Sequence, residues 1–168
     1  YDHDTDFLRF YTNAVERLRI DSSGAVTKPS NPAFRASGSN SWVALAEDAT
    51  LELPANSEHF DNGSNYSTST YRFTAPVAGT YQFFCQLYWK PASSSSYMNL
   101  AFSKNGSEAN VDWRIFAQND SSTSSRSIFT SSIMDLSAND YVSTKLMAKS
   151  GSIDYYMGHS SFEGYLLG

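Results

Sequence analysis

The chain has 168 residues, a formal net charge of −5, one cysteine, and many aromatic residues, with Tyr 11, Phe 11 and Trp 3. This length suits one domain with a short appendage, and the negative charge argues against a nucleic-acid partner, whose phosphates require clustered Lys and Arg. A single cysteine excludes a disulfide framework and a four-cysteine zinc site. No apolar run reaches the roughly 18 residues that a membrane-spanning helix requires.

The first predicted elements are two short strands near the start of the chain. Residues 7–11 (FLRFY) and 15–20 (VERLRI) form a hairpin pattern that closes at the turn sequence DSSG. Two prolines within residues 28–32 then forbid a continuous strand ladder. We therefore predict a β-rich neck and linker over residues 1–31 and a separate head over residues 32–168.

Strand patterns recur through the head, whereas helical periodicity is nearly absent. Gly, Pro and Ser corners separate the strands, and runs of serine between them indicate exposed loops. Many short strands with such corners predict an all-β, antiparallel sandwich or jelly roll. The predicted strands lie around residues 33–37, 42–46, 51–53, 70–74, 80–89, 97–103, 111–117, 127–134, 141–148, 153–157 and 161–167.

The segment TYRFTAPVAGTYQFF shows the strand pattern most clearly. Pro76 ends its first strand because proline cannot donate to a ladder, and Gly79 provides freedom for the turn. In the second strand, alternation places apolar residues on one face and a mixture of aromatic and polar residues on the other. The first face carries Tyr81, Phe83, Cys85 and Leu87, and the second carries Gln82, Phe84, Gln86 and Tyr88. This strand is predicted to lie between a core and a protein interface.

Several short motifs follow one another through the head in a fixed order. They are AFRA at 33–36, FDNG at 60–63 followed by Tyr66, FTAPVAGTYQF at 73–83, SKNG at 103–106, LSANDYV at 136–142 and SFEGYLL at 161–167. By the order and spacing of these motifs, the chain from Pro32 to Leu167 resembles the globular domain of complement C1q and its relatives, ten-stranded jelly rolls akin to tumour necrosis factor. The resemblance implies about ten strands, homotrimers, ligand binding and no enzymatic activity. One departure is Asn139, where the family usually has Gly, although Asn tolerates a left-handed turn conformation.

The neck carries a second resemblance. The segments FLRFY and ERLRIDSSGAV within residues 7–26 are similar to parts of phage tail-fibre proteins that precede a tip domain. A trimeric shaft can be joined to a trimeric head because both then share one three-fold symmetry. Display of several copies would also raise avidity without new contacts.

The sequence offers no motif for catalysis or for a resident cofactor. His3, His59 and His159 lack metal-ligand spacing, and the acidic stretch at residues 2–6 lacks the Gly and closing Glu of an EF-hand. No nucleophile elbow or phosphate loop occurs. Some relatives of this fold bind calcium at the trimer apex, but no residue here identifies such a site. We therefore expect a protein that is not an enzyme and has no cofactor.

Aromatic side chains are the candidate ligand contacts. Adjacent tyrosines on a strand face opposite sides, so one of Tyr155 and Tyr156 must point away from the core. An outward ring could stack on a sugar, although core or trimer-interface packing is the alternative for each aromatic residue. The candidates are Trp89, Tyr97, Trp113, Tyr155 and Tyr156.

Three functions are consistent with these patterns. The first is a trimeric, non-enzymatic virion fibre tip, of a tail fibre or a related fibre, that attaches to a host-surface glycan or protein through loops such as 91–96 and 119–126. The second is a secreted C1q-like lectin or ligand-binding protein, which would carry sugars on the Asn-x-Ser sites at Asn62 or Asn105. The third is a polysaccharide hydrolase embedded in a fibre. The first predicts a virion-surface or extracellular location, with other copies of the chain and the rest of the fibre as partners.

Overall fold

A computed structural model describes residues 7–107, 114–118 and 124–168, with the backbone alone at 114–118. Fifteen strands and no helix occur in this part of the chain, so no described helix could cross a membrane. The strands are β1 (Leu8–Thr12), β2 (Val15–Ile20), β3 (Val26–Thr27), β4 (Ala33–Ser37), β5 (Trp42–Leu45), β6 (Thr50–Glu52), β7 (Ser57–Asn62), β8 (Tyr66–Ser67), β9 (Arg72–Thr74), β10 (Gly79–Pro91), β11 (Tyr97–Lys104), β12 (Arg114–Gln118), β13 (Arg126–Leu136), β14 (Tyr141–Lys149) and β15 (Ile153–Leu166).

These strands form three antiparallel sheets. The neck sheet has the order β1-β2-β3. The front sheet has the order β13-β10-β15-β4-β7, with β5 also paired to β15, and the back sheet has the order β12-β11-β14-β9-β8, with β6 also paired to β14. The buried side chains of the front and back sheets form one hydrophobic core. The predicted all-β, antiparallel jelly-roll sandwich is therefore confirmed.

Stacked aromatic rings join the front sheet to the back sheet. Phe34 on β4 stacks on Phe73 of β9 at 5.0 Å between centroids and meets Phe162 of β15 edge-on at 4.9 Å. A Cβ added at Gly164 would lie 2.5 Å from Phe83 Cδ1 and 2.9 Å from Phe34 Cε1. The glycine of the SFEGYLL motif is therefore explained, because its missing side chain lets these rings fill the core.

Two of the sequence motifs meet at one corner of the head. The Ala75 amide donates to the Asp140 carbonyl at 2.8 Å, and the Asn139 amide donates to the Ala75 carbonyl at 2.8 Å. Asn139 has φ 71°, so this position does adopt the left-handed conformation in which Asn replaces Gly at low cost. The turn of LSANDYV therefore closes on the corner of FTAPVAGTYQF.

The Asp140 carboxylate organises this corner. It lies 2.8 Å from the Lys104 ammonium and accepts hydrogen bonds from Asn105 Nδ2 at 2.7 Å and from the Ser137 amide at 2.8 Å. These contacts, led by the bond from Lys104, lower the pKa of Asp140 to about 2. Asn105 also accepts a bond from the Tyr141 amide at 2.9 Å, so both the nitrogen and the oxygen of its side-chain amide bond within the turn.

The hairpin of the neck pairs within one chain. β1 and β2 are joined by Asn13 and Ala14, whose φ angles of 50° and 60° suit a two-residue hairpin turn. The linker is tied to the head, because Asn31 Nδ2 donates to the Leu166 carbonyl at 2.8 Å. The linker therefore leads from the neck sheet to the end of β15, a central strand of the front sheet.

Several details differ from the predictions, among them the short strands β3 and β8, which were not predicted. β7 was not predicted, because its sequence SEHFDN lacks alternation and its side chains are mostly exposed at a sheet edge. One strand, β15, replaces the two predicted at 153–157 and 161–167, because a bulge continues the ladder between them. Ser96 is buried, because bonds from Ser93 order the loop that was expected to be exposed.

Candidate functional site

The outer face of the front sheet carries an exposed apolar band. Phe129 is 65% exposed and Ile133 is 61% exposed, and both lie on the edge strand β13. The ring of Phe129 stacks on Phe84 of β10 at 6.0 Å between centroids. We define the apolar band as Phe60, Phe84, Phe129, Ile133 and Tyr165. Apolar side chains gathered in this way on one face mark a surface that binds another molecule.

An apolar hollow of about 200 Å³ opens within this band. Phe60, Phe84 and Tyr165 stand around it, and Gly164 lies among its lining residues. The Tyr165 hydroxyl donates to Gln82 Oε1 at 2.8 Å, which holds the tyrosine ring at the rim. The hollow is large enough for an aliphatic or aromatic side chain and offers few polar partners.

Farther along the same face, four rings form an aromatic cluster, which we define as Trp42, Tyr88, Tyr156 and His159. Trp42 lies 5.3 Å from both tyrosine rings, and His159 lies 4.7 Å from Tyr156 and 5.3 Å from Tyr88. The Lys90 ammonium lies 4.6 Å from the centre of the Trp42 ring, a cation–π contact. The cluster lies on β5, β10 and β15 toward the end of the sheet away from the neck.

A wide bulge in β15 places the histidine in this cluster. Tyr88 of β10 lies opposite Tyr156, whereas Gln86, two residues earlier, lies opposite Ser161. Residues 157–160 are therefore accommodated opposite a single residue of β10. Bulges of this kind bend a strand and re-aim its side chains.

Specific contacts stabilise the bulge. The Tyr88 amide donates to Ser160 Oγ at 2.9 Å, and that hydroxyl donates to the Tyr156 carbonyl at 2.7 Å. A Cβ on Gly158 would collide with the Asn40 side chain. The bulge therefore depends on a buried serine and on a glycine without a side chain.

Beside the bulge lies a polar hollow of about 210 Å³. Ser37 Oγ and His59 Nε2 lie 2.8 Å apart across it, and Gln86 Nε2 donates to the His159 carbonyl at 3.4 Å. Its lining residues are Arg35, Ser37, His59, Gln86, Gly158, His159, Ser160 and Ser161. The hollow thus joins the apolar band to the aromatic cluster.

The structure places the predicted ligand contacts in different environments. Trp89 and Tyr155 are buried in the core, so their rings present no surface to a ligand. Tyr156 lies in the aromatic cluster, whereas Tyr97 is half-buried at the start of β11 in the back sheet. Trp113 lies outside the described residues, as does most of the loop 119–126. Ligand contact therefore stays a prediction for Tyr97 and Tyr156.

Sequence reasoning missed most members of the aromatic cluster. The sequence does place Tyr88, because alternation puts it on the outward face of β10. No sequence pattern places Trp42, because only the pairing of β5 with β15 brings it to Tyr156. His159 lacks metal-ligand spacing, and the bulge that turns it toward the tyrosines has no sequence signature.

Nothing in the described residues points to metal or thiol chemistry. No group of three or more His, Cys, Asp or Glu side chains that could hold a metal occurs in the described part of the chain. Burial raises the pKa of the Cys85 thiol to about 12, so this thiol stays protonated and unreactive. His3 and the acidic residues 2–6 lie outside the described ranges.

These features define a jelly-roll sandwich of the C1q and tumour-necrosis-factor class, with an apolar face on one sheet. A sequence model of the C1q domain matches residues 33–167, and the chain belongs to that family. The structure is similar to the globular domain of zebrafish complement 1qA protein, with 19% identity, a TM-score of 0.61, and coverage of 82% of this chain and 98% of that one.

More distant likenesses extend to the tumour-necrosis-factor side of the class. Eiger TNF from S. frugiperda has 15% identity and a TM-score of 0.55, covering 82% of this chain and 93% of its own. Murine APRIL has 9% identity and a TM-score of 0.58, covering 82% of this chain and 99% of its own. No curated protein sequence matches the chain. At these identities, the structural likenesses show the fold alone.

Proposed function

We propose that this chain is the non-enzymatic, trimeric head and neck of a virion fibre, which attaches to a receptor on the host surface. Domains of the C1q and tumour-necrosis-factor class are generally binding modules, often trimeric and extracellular. The observation that carries the proposal is the apolar band, because a single chain leaves Phe129 and Ile133 more than half exposed. Burial of such side chains against other copies would remove that exposure.

The band has the layout that a three-fold ring requires. In a ring, each contact joins two different patches on neighbouring subunits. The protruding side chains Phe129 and Ile133 lie on the edge strand β13, whereas the lining of the apolar hollow extends from β10 across β15 and β4 to β7, the strand at the other end of the order. A protruding residue of one subunit can therefore fill the hollow of the next.

The neck sheet supports the same assembly. Its directly paired apolar residues share one face, on which Phe10 is 50% exposed and Val26 is 60% exposed. The opposite face carries an ion-pair group, in which Glu16 lies 2.7 Å from Arg19 and 3.6 Å from Arg9. A three-stranded sheet with one uncovered apolar face needs a second layer for stability. Three necks that meet with these faces inward would provide it.

Because β1, β2 and β3 form a sheet of their own, we propose a division into a neck and linker over residues 1–31 and a head over residues 32–168. The similarity of residues 7–26 to tail-fibre segments supports the fibre role in particular. The predicted partners are two further copies of the chain, the remainder of the fibre, and a host-surface glycan or protein.

A secreted ligand-binding protein of the same family is the second candidate. It fits the extracellular setting of the class, and Asn62 of one Asn-x-Ser site is exposed on β7. The site at Asn105 fits it less well, because Asn105 uses its side chain to bond Asp140 and Tyr141. Glycan on Asn62 of the protein from its natural source would favour this candidate.

Adsorption of fibre-bearing particles tests the proposal. Particles whose fibre lacks residues 32–168 should assemble with normal morphology and lose attachment to host cells. Particles that carry Val77→Ser, a surface change outside the apolar band, serve as the control and should attach normally. Unchanged attachment without the head would contradict the receptor role and leave a structural fibre.

A further inference from the structure

The neck and the head of one chain meet across an open space. Within the described part of the chain, no strand of the neck sheet pairs with a strand of the head. A hollow of about 570 Å³ lies between the two parts, with Arg17 of β2 and Lys28 of the linker on one side and Asn65 and Val77 of the head on the other. Side chains across a space of this size lie too far apart to pack. The linker is therefore the element that can set the orientation of the neck.

Two consecutive linker residues bond to the two parts of the chain. Ser30 Oγ donates to the Glu16 carbonyl of β2 at 3.0 Å, and Asn31 Nδ2 donates to the Leu166 carbonyl of β15 at 2.8 Å. The Leu166 amide in turn donates to the Pro32 carbonyl at 3.0 Å. One linker side chain is thus fixed to the neck, and the next is fixed to the head.

The linker backbone is restricted around these bonds. The Asn31 amide donates to the Lys28 carbonyl at 3.0 Å, which closes a four-residue turn with Pro29 at its second position. Proline sets the φ angle that this position of a turn requires. Pro32 has a fixed φ angle as well, and it restricts the backbone of Asn31. Because the free linker has few conformations, little entropy is lost when the two side chains bond.

We infer that Ser30 and Asn31 form a clamp, which holds the neck sheet in one orientation relative to the head. The inference rests on the proposed fibre function, in which the head keeps a fixed direction relative to the shaft. The two bonds point to opposite sides of one turn, so rotation of the neck about the linker breaks at least one of them. In the proposed trimer, the same clamp in each chain would direct the apolar faces of the three necks toward one axis.

Residual dipolar couplings of the backbone amides in the weakly aligned full chain test the inference. In the parent chain, one alignment tensor should fit the strands of the neck and of the head together. In a chain with both Ser30→Ala and Asn31→Ala, the neck should need a tensor of its own, with smaller couplings, while the couplings of the head stay unchanged. A chain with Ser22→Ala and Asn56→Ala, which makes the same two replacements at exposed positions outside the linker, is the matched control and should behave as the parent does.

The single variant Ser30→Ala separates the clamp from any effect on folding. Ser30 is exposed, and its replacement leaves the bond between Asn31 and Leu166 in place. The neck couplings of this variant should lie between those of the parent and those of the double variant. Values equal to those of the parent would overturn the clamp, because the bond to Glu16 would then have no part in the orientation.

Other outcomes separate the clamp from the proposed assembly, because the clamp joins two parts of one chain. A single tensor for a parent chain that light scattering shows to be monomeric would refute the trimer and retain the clamp. A trimeric parent whose neck and head need two tensors would retain the trimer and overturn the clamp. A single tensor in the double variant would also overturn it, because other contacts would then hold the neck.

Discussion

Replacement of Phe129 by Ser should dissociate the proposed trimer without unfolding the head. Phe129 is 65% exposed in the single chain and packs only lightly on Phe84, at 6.0 Å between ring centroids. The accessible surface of a phenylalanine side chain is about 200 Å², so the exposed 65% of Phe129 amounts to about 130 Å² that a neighbouring subunit can bury. At about 25 cal/mol per Å², that burial stabilises each subunit contact by about 3 kcal/mol.

Three such contacts close a ring, so the change acts three times on the assembly. Sedimentation velocity over a range of protein concentrations should show the trimer of the parent chain shifted toward monomer in Phe129→Ser. Circular dichroism should show the same β-sheet spectrum for both, because the substituted side chain faces away from the core. Val77→Ser is the matched control, since Val77 is 47% exposed but lies in the turn before β10.

Either of two results would refute this reasoning. A Phe129→Ser chain that remains as trimeric as the parent would show that β13 lies outside the subunit contact. A chain that loses its β-sheet spectrum would show that Phe129 stabilises the fold of the single chain. Dissociation by Val77→Ser to the same extent would remove the assignment to the apolar band.

The remaining predictions concern the fold itself. Gly164→Ala should lower the free energy of unfolding in urea by about 1–3 kcal/mol, because its Cβ would overlap core rings; Gly168→Ala, with nothing within 4 Å, should not. The folded-state pKa of Asp140, about 2, lies below its ordinary value of 3.8, so its stabilising effect is present above that value and is lost as pH falls through about 2. Thermal unfolding of Asp140→Asn should therefore depend less on pH between 4 and 2 than that of the parent, and equal slopes would contradict the role of this carboxylate. Asn139→Gly should leave the free energy of unfolding in urea unchanged or raise it, whereas Asn139→Val should lower it by about 1–2 kcal/mol, because φ is 71° at this position. Equal stability of the two variants would contradict the left-handed conformation of residue 139.

Much of the head could be predicted because its strands alternate clearly. Residues 70–84 showed both strands and their corner, and the two faces of β10 followed from period two alone. β7 could not be predicted, because an exposed edge strand has no buried face to impose alternation. Asn139 was correctly expected to take a left-handed turn, since few residues other than Gly do so at low cost.

The candidate site was much less predictable than the fold. Tyr88 could be placed on the outward face, but Trp42 reaches it only through pairing with a strand more than a hundred residues away in sequence. The bulge at residues 157–160 depends on contacts of Ser160 and Gly158 that no local pattern encodes. Trp89 and Tyr156 looked alike as exposed aromatics, and only burial separated the core ring from the surface ring.

The solution mass of the purified chain tests the central claim most directly. The chain has a mass of 18.6 kDa, and light scattering should give three times this value for the full chain. Residues 32–168 alone should also be trimeric, because the apolar band belongs to the head. A trimer formed only with residues 1–31 present would move the assembly signal to the neck and contradict the role of the band. A monomeric full chain would contradict the fibre account as a whole.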